Sequence, residues 1–62
     1  MKKNKIYTED NFNYSDRMII GNYTIEMEYC EDEKHFFYDV NKEWYDTLNN
    51  CINEVIRLNS LK

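Results

Sequence analysis

The chain has 62 residues, of which 42% are hydrophobic, 32% charged and 16% aromatic, and its formal net charge is −4. A chain of this length forms one small domain, which leaves no room for a catalytic domain beside a substrate domain. Eight basic residues against twelve acidic ones disfavour direct binding of nucleic acid, which needs a basic surface. The charge balance fits a basic protein partner instead.

The N-terminal part of the chain indicates where the protein is located. The polar run Tyr7-Thr8-Glu9-Asp10 stands where a signal peptide needs an apolar stretch. No apolar run approaches the about 18 residues of a membrane span. We therefore expect a cytoplasmic protein that does not bind a membrane.

Residues 1–15 show no clear period. They form an N-terminal segment with three alternatives: it adds a short strand at Ile6-Tyr7-Thr8, it stays mobile, or it folds back to bury Phe12 and Tyr14. Residues 16–62 are predicted to form one domain.

The first predicted hairpin joins strands at 16–21 and 22–31. From Tyr23 to Tyr29 apolar and polar residues alternate, which is typical of a half-buried strand. Glycine at the first central position of the Gly21-Asn22 turn suits a type II′ hairpin. This turn pairs Met18 with Ile25 and Ile20 with Tyr23 on the core face, and Arg17 with Glu26 on the outer face.

A third strand is predicted at 34–40, after the polar turn Glu31-Asp32-Glu33-Lys34. Its aromatic and β-branched residues are those that strands prefer. If Cys30 lies opposite His35, three apolar pairs fall on one face of the sheet: Tyr29 with Phe36, Met27 with Tyr38, and Ile25 with Val40. The same register places Glu26 opposite Asp39 on the outer face.

The C-terminal part, residues 41–62, is predicted to be helical. Five apolar residues recur at the spacing of one helix face: Trp44, Leu48, Cys51, Val55 and Leu58. Asn41 is the expected N-cap, and Glu43 lies in the first turn, where the helix dipole favours an acid. The predicted fold class is therefore α+β, a three-stranded antiparallel meander covered on one face by a C-terminal helix (β-β-β-α).

The excess negative charge lies in the middle of the chain. Residues 17–40 contain two basic and six acidic residues, a net of −4. Like charges directly opposite each other destabilise a sheet, so the predicted pair Glu26 and Asp39 suggests a use for the charge. The candidate partner-binding acids are Glu26, Glu28, Glu31, Asp32, Glu33 and Asp39. Phe37 and Tyr45, which the predicted core leaves over, are candidate anchors. The alternative is a solvated face that keeps a small protein in solution.

The two cysteines give little support to catalysis or metal binding. Cys30 is predicted on the outer sheet face and Cys51 on the helix face turned to the core, so a disulfide is not expected. Cys30 and His35 provide two ligands, which do not make a zinc site. A Cys–His nucleophile pair on a flat sheet would lack a pocket and an oxyanion hole. We expect no enzyme activity, no cofactor and no metal.

Three parts of the chain support a resemblance to known proteins in size, charge and layout. They are the acidic hairpin Glu26-Met27-Glu28-Tyr29-Cys30-Glu31-Asp32-Glu33, the aromatic run His35-Phe36-Phe37-Tyr38 and the following helix Asn41 to Leu61. In these respects the chain resembles small acidic inhibitors encoded by phages and mobile elements, such as the uracil-DNA glycosylase inhibitors and the anti-CRISPR proteins. The resemblance implies a stoichiometric inhibitor of a nucleic-acid-processing host enzyme, with a CRISPR effector as one candidate. Its acidic surface would occupy the partner's basic groove as a mimic of DNA. The rival hypothesis is a homodimeric structural or regulatory interaction module.

Overall fold

The structure is a computed structural model that describes residues 7–61. It contains four strands and one helix, in the order β1 (Met18–Ile20), β2 (Tyr23–Cys30), β3 (Glu33–Tyr38), β4 (Asn41–Tyr45) and α1 (Leu48–Ser60). The strands form one antiparallel sheet in chain order, and α1 packs on one face of it. The α+β class is confirmed. The prediction of three strands is wrong, because the sheet has four.

The first hairpin has the predicted register. Met18 pairs with Ile25, and Ile20 pairs with Tyr23. Gly21 adopts a φ of +61°, the left-handed conformation that glycine takes at little cost. The Asn59 side chain on α1 holds this turn. Its amide nitrogen donates to the carbonyl of Ile20 at 3.0 Å, and its oxygen accepts from the backbone N–H of Asn22 at 3.3 Å.

The second hairpin is tighter than predicted. Cys30 pairs with Glu33, and His35 pairs with Glu28, so the predicted register is wrong by two residues. The turn consists of Glu31 and Asp32 alone, with φ values of 55° and 71°. Two consecutive residues with positive φ are typical of the type I′ turn, whose twist matches that of the flanking strands. A shift of two residues keeps the side chains within the strands on their predicted faces. Val40, which was predicted to pair with Ile25 in the core, lies beyond β3 and is 73% exposed.

The segment 41–45 is a strand, so the prediction of a helix from residue 41 is wrong there. Tyr45 pairs with Phe36 and Asn41 with Tyr38, with an irregularity between the two pairs. The Asn41 side chain accepts from the backbone N–H of Glu43 at 2.9 Å instead of capping a helix. Thr47 is the N-cap of α1, and its hydroxyl accepts from the backbone N–H of Asn50 at 3.2 Å.

The core lies between the sheet and the helix. Three residues of the predicted helix face, Leu48, Cys51 and Val55, are buried as expected, whereas Trp44 lies on β4 and is 46% exposed. The remaining buried side chains come from the sheet and from the N-terminal segment: Ile25, Met27, Phe36, Tyr38 and Phe12. The core is therefore closed by a residue that precedes the first strand.

The N-terminal segment, as far as it is described, folds back onto the sheet. The Phe12 side chain is fully buried, and its ring lies edge-on to that of Phe36, with 5.8 Å between the centroids. Tyr14 stays 64% exposed. Tyr7 and Thr8 belong to no strand, and Ile6, the first residue of the predicted short strand, lies outside the described residues.

Candidate functional site

The outer sheet face does not contain the predicted pair of opposed acids. Glu26 lies opposite Phe37, and its carboxylate is 3.8 Å from Nε of Arg17. The predicted Arg17–Glu26 pair is confirmed. The placement of Glu26 opposite Asp39 is wrong, because the tight β2–β3 turn moves the register. The sheet therefore has no opposed pair of acids at Glu26, and the outer face shows no like-charge strain there that would indicate a function.

Cations and aromatic rings cover much of the same face. Nζ of Lys42 lies 5.1 Å from the centroid of the Phe37 ring, a cation–π geometry. The His35 ring stacks on that of Trp44 with 4.8 Å between centroids and 29° between planes. Lys42 comes from β4, outside the three predicted strands. The outer face is thus mixed in charge rather than acidic.

Two of the predicted partner-binding residues have structural roles. The Asp39 carboxylate accepts from the backbone N–H groups of Thr24 and Val40, at 3.3 and 3.0 Å, and so holds the β3–β4 turn. The Tyr45 ring packs against the core, and its hydroxyl accepts from the Asn41 side chain at 3.2 Å. Burial, with smaller contributions from neighbouring acids, raises the pKa of Tyr45 to about 12. Both side chains therefore already have hydrogen-bond partners within the fold.

Carboxylates concentrate instead at the end of the sheet that contains the β2–β3 turn. Glu31 and Asp32 form the turn itself, and both are exposed. Beside them a groove of about 460 Å³ is lined by six residues: Glu9, Asp10, Glu33, Lys34, His35 and Asp46. We call these six residues the acidic groove, and the groove together with Glu31 and Asp32 the acidic end. The acidic end contains six carboxylates and one lysine.

Sequence reasoning found half of these carboxylates. Glu31, Asp32 and Glu33 were predicted to bind a partner, and the structure brings them to the acidic end. Glu9, Asp10 and Asp46 were missed, because their position depends on the folded-back N-terminal segment and on β4. One signal was present in the sequence: residues 9–16 contain three acids and no base. Glu28 is exposed on the outer face opposite His35.

His35 lies where the acidic groove meets the outer face. Its Nε2 atom is 3.6 Å from the Glu33 carboxylate, and its Nδ1 atom is buried without a hydrogen-bond partner among the described residues. The predicted pairing of His35 with Cys30 is wrong, because Glu28 lies opposite the histidine. Within residues 7–61, no three or more His, Cys, Asp or Glu side chains are placed to bind a metal ion.

The two thiols are expected to differ in reactivity. Cys51 is fully buried, and this burial, with a smaller contribution from Glu54, raises the pKa of its thiol to about 12. Cys30 is only partly buried. Because the thiolate is the nucleophile, iodoacetamide at pH 7.5 should alkylate Cys30 in the folded protein and Cys51 only after unfolding. Mass spectrometry of peptides from native and urea-treated protein measures this. Equal labelling of both thiols in the native state would contradict the burial of Cys51.

The fold and the acidic end together define a small α+β protein with one strongly acidic end. No family model matches the chain, and no curated protein and no solved structure is significantly similar to it. Among the described residues, no helix is long and apolar enough to cross a membrane.

Proposed function

We propose that the protein is a stoichiometric inhibitor that binds the basic groove of a nucleic-acid-processing enzyme, with a CRISPR effector as one candidate. One observation carries the proposal: among residues 7–61, six carboxylates and a single lysine gather at one end of the molecule. An array of this kind presents negative charge to a partner as a row of phosphates does. The inhibitor acts by occupying the groove, and no covalent step is required.

The position of the acids supports a binding role better than a role in solubility alone. Acids that only keep a protein in solution can be spread over the surface with bases among them. Here the bases of the outer face contact other groups, since Arg17 pairs with Glu26 and Lys42 lies over Phe37. The acidic end keeps a net negative charge that attracts a basic surface over a Debye length of about 10 Å at 0.1 M salt. Association should therefore be fast and sensitive to salt.

The β2–β3 turn permits a test in which charge is removed without loss of stability. Glu31 and Asp32 adopt positive φ, a conformation that costs a glutamate more than it costs asparagine or glycine. The double variant E31N/D32G introduces the Asn-Gly pair that type I′ turns prefer. It should remove two negative charges while keeping or raising the free energy of unfolding. Weaker binding by this variant then cannot be ascribed to unfolding.

The measurement is capture of partners from a bacterial lysate by the immobilised protein, followed by elution with single- or double-stranded DNA. We expect a basic nucleic-acid-binding enzyme that DNA displaces, and at least tenfold less of it on E31N/D32G. The control E43Q/E54Q removes the same number of charges outside the acidic end, and should capture as much as the wild type. Equal capture by E31N/D32G, or a partner that DNA does not displace, would refute the proposal. An inhibitor of this kind would act in the cytoplasm.

The rival hypothesis, a homodimeric interaction module, makes a different prediction for the free protein. Within residues 7–61, seven large apolar or aromatic side chains are exposed: Tyr14, Ile19, Tyr29, Val40, Trp44, Ile56 and Leu61. A groove-filling inhibitor is expected to be monomeric at micromolar concentration. Light scattering that gives twice the monomer mass of 7.7 kDa would favour the rival.

A further inference from the structure

The segment 7–16, which we call the strap, contributes two of the four carboxylates of the acidic groove. Glu9 and Asp10 line the groove from the strap, whereas Glu33 and Asp46 line it from the sheet side. The groove therefore exists in its complete form only while the strap lies on the sheet.

Side chains attach the strap to the rest of the fold. Phe12 is fully buried, and its ring contacts those of Tyr7 and Phe36, at centroid distances of 5.0 and 5.8 Å. Backbone hydrogen bonds within the strap close local turns, as from the N–H of Phe12 to the carbonyl of Thr8 at 3.0 Å. Such a segment can open at a lower free energy than the hydrogen-bonded sheet.

One contact joins the strap to the groove directly. Nζ of Lys34 donates to the backbone carbonyl of Glu9 at 2.7 Å. Lys34 is itself a groove residue, and among residues 7–61 it is the only lysine or arginine of the acidic end. Its ammonium group thus holds in place the part of the strap that carries Glu9 and Asp10.

We propose that the strap is a conformational device whose docking completes the acidic groove, so that docking and the binding of a basic partner are coupled. The inference rests on the proposed function, since it takes the groove as the binding site. A basic ligand that contacts all four groove carboxylates binds the docked state better, and shifts the equilibrium towards it. By linkage, the ligand favours docking by the same factor by which docking strengthens ligand binding. A change that undocks the strap therefore weakens binding of the ligand.

Replacing Lys34 separates this mechanism from simple charge attraction, because the two predict opposite signs. Lys34→Met removes the groove's cation, so attraction alone predicts tighter binding of a positively charged probe. Undocking of the strap predicts weaker binding, because Glu9 and Asp10 leave the groove. The matched control is Lys42→Met, which removes the same charge on the outer face, outside the acidic groove.

The probe is a fluorescent peptide of nine arginines, and its dissociation constant is measured by anisotropy at 50 mM salt. For K34M we expect an increase of up to about fivefold, the factor that the loss of one hydrogen bond of typical net strength gives. For K42M we expect an unchanged or lower value. Tighter binding by K34M, matching that of K42M, would overturn the coupling.

A second measurement reads strap docking without the probe, so that the two proposals can fail separately. Hydrogen exchange at the Phe12 amide should be faster in K34M than in the wild type, whereas exchange at Met27, in the central strand β2, should not change. Exchange at Phe12 that is the same in both proteins would overturn the strap proposal. If the wild type does not bind the peptide but exchange at Phe12 is still faster in K34M than in the wild type, the proposed function is refuted. The docking of the strap through Lys34 is then still supported.

Discussion

Replacing Phe12 with alanine is expected to lower the free energy of unfolding by about 3–5 kcal/mol, the usual cost of removing a buried aromatic ring. The Phe12 side chain is fully buried and packs on Phe36 in the centre of the sheet. A chain of this size has a total stability of roughly 3–9 kcal/mol, at about 0.05–0.15 kcal/mol per residue. The substitution therefore removes a large part of the total. Urea denaturation followed by circular dichroism measures the loss.

Two control variants identify the origin of the effect. Tyr14→Ala, in the same segment, truncates a ring that is 64% exposed and should change stability by no more than about 0.5 kcal/mol. Phe12→Leu keeps most of the buried volume and should cost about 1.5 kcal/mol or less. If F12A unfolds at the same urea concentration as Y14A, the strap does not belong to the core. If F12A loses less stability than expected and its m value is lower than that of the wild type, the folded state of F12A has an undocked strap.

The two hairpins show what local sequence can and cannot determine. At the first turn, Gly21 takes the one conformation that fits a two-residue loop at little cost, so the turn and the register could be predicted together. At the second turn, no glycine or asparagine marks the central positions. Glu31 and Asp32 adopt positive φ because the strands on either side impose it. Propensity alone does not reveal this, and the predicted register was wrong.

The start of the helix was predicted wrongly because one residue satisfied two patterns. Trp44 lies four residues before Leu48, which is the helical spacing, but Trp44 and Tyr45 also favour strands. The true helix start has its own signal in Thr47, whose hydroxyl caps the first turn. Pairing with β3 supplies hydrogen bonds to 41–45 that an extra helical turn would have to replace.

The candidate site was only partly accessible to sequence reasoning, for a related reason. The turn acids Glu31, Asp32 and Glu33 are neighbours in the chain, so their proximity is a local property. The groove brings Glu9 and Asp46 beside Glu33 through tertiary contacts, which depend on the burial of Phe12 and on the fourth strand. Charge counts along the chain locate the acids, but the fold decides which of them share a surface.

Replacing Gly21 with alanine is expected to lower the free energy of unfolding by about 2–4 kcal/mol, from two sources. A residue with a side chain is strained at a φ of +61°, at a cost of about 1 kcal/mol or more. A Cβ atom at this position would also overlap with the Asn59 side chain on α1. Asn59 would have to move and give up its hydrogen bonds to Ile20 and Asn22, each with a net value of about 1 kcal/mol.

A double-mutant cycle separates the two sources. Asn59→Ala alone should cost about 1–3 kcal/mol, because it leaves the Ile20 carbonyl and the Asn22 N–H without these partners. In the double variant the shortened side chain no longer meets the new Cβ, and the hydrogen bonds are already lost. The combined cost should then fall short of the sum by about 1 kcal/mol or more, leaving mainly the backbone strain at residue 21.

The matched control is Asn22→Ala, which changes the other central residue of the turn. Asn59 binds the backbone N–H of residue 22, which alanine retains, and the Asn22 side chain is exposed. This variant should therefore stay within about 0.5 kcal/mol of the wild type. Additive costs for Gly21→Ala and Asn59→Ala would mean that the amide moves aside without losing its hydrogen bonds. The Asn59 hydrogen bonds between α1 and the first hairpin would then be as strong in Gly21→Ala as in the wild type, and the whole cost of that substitution would come from backbone strain at residue 21.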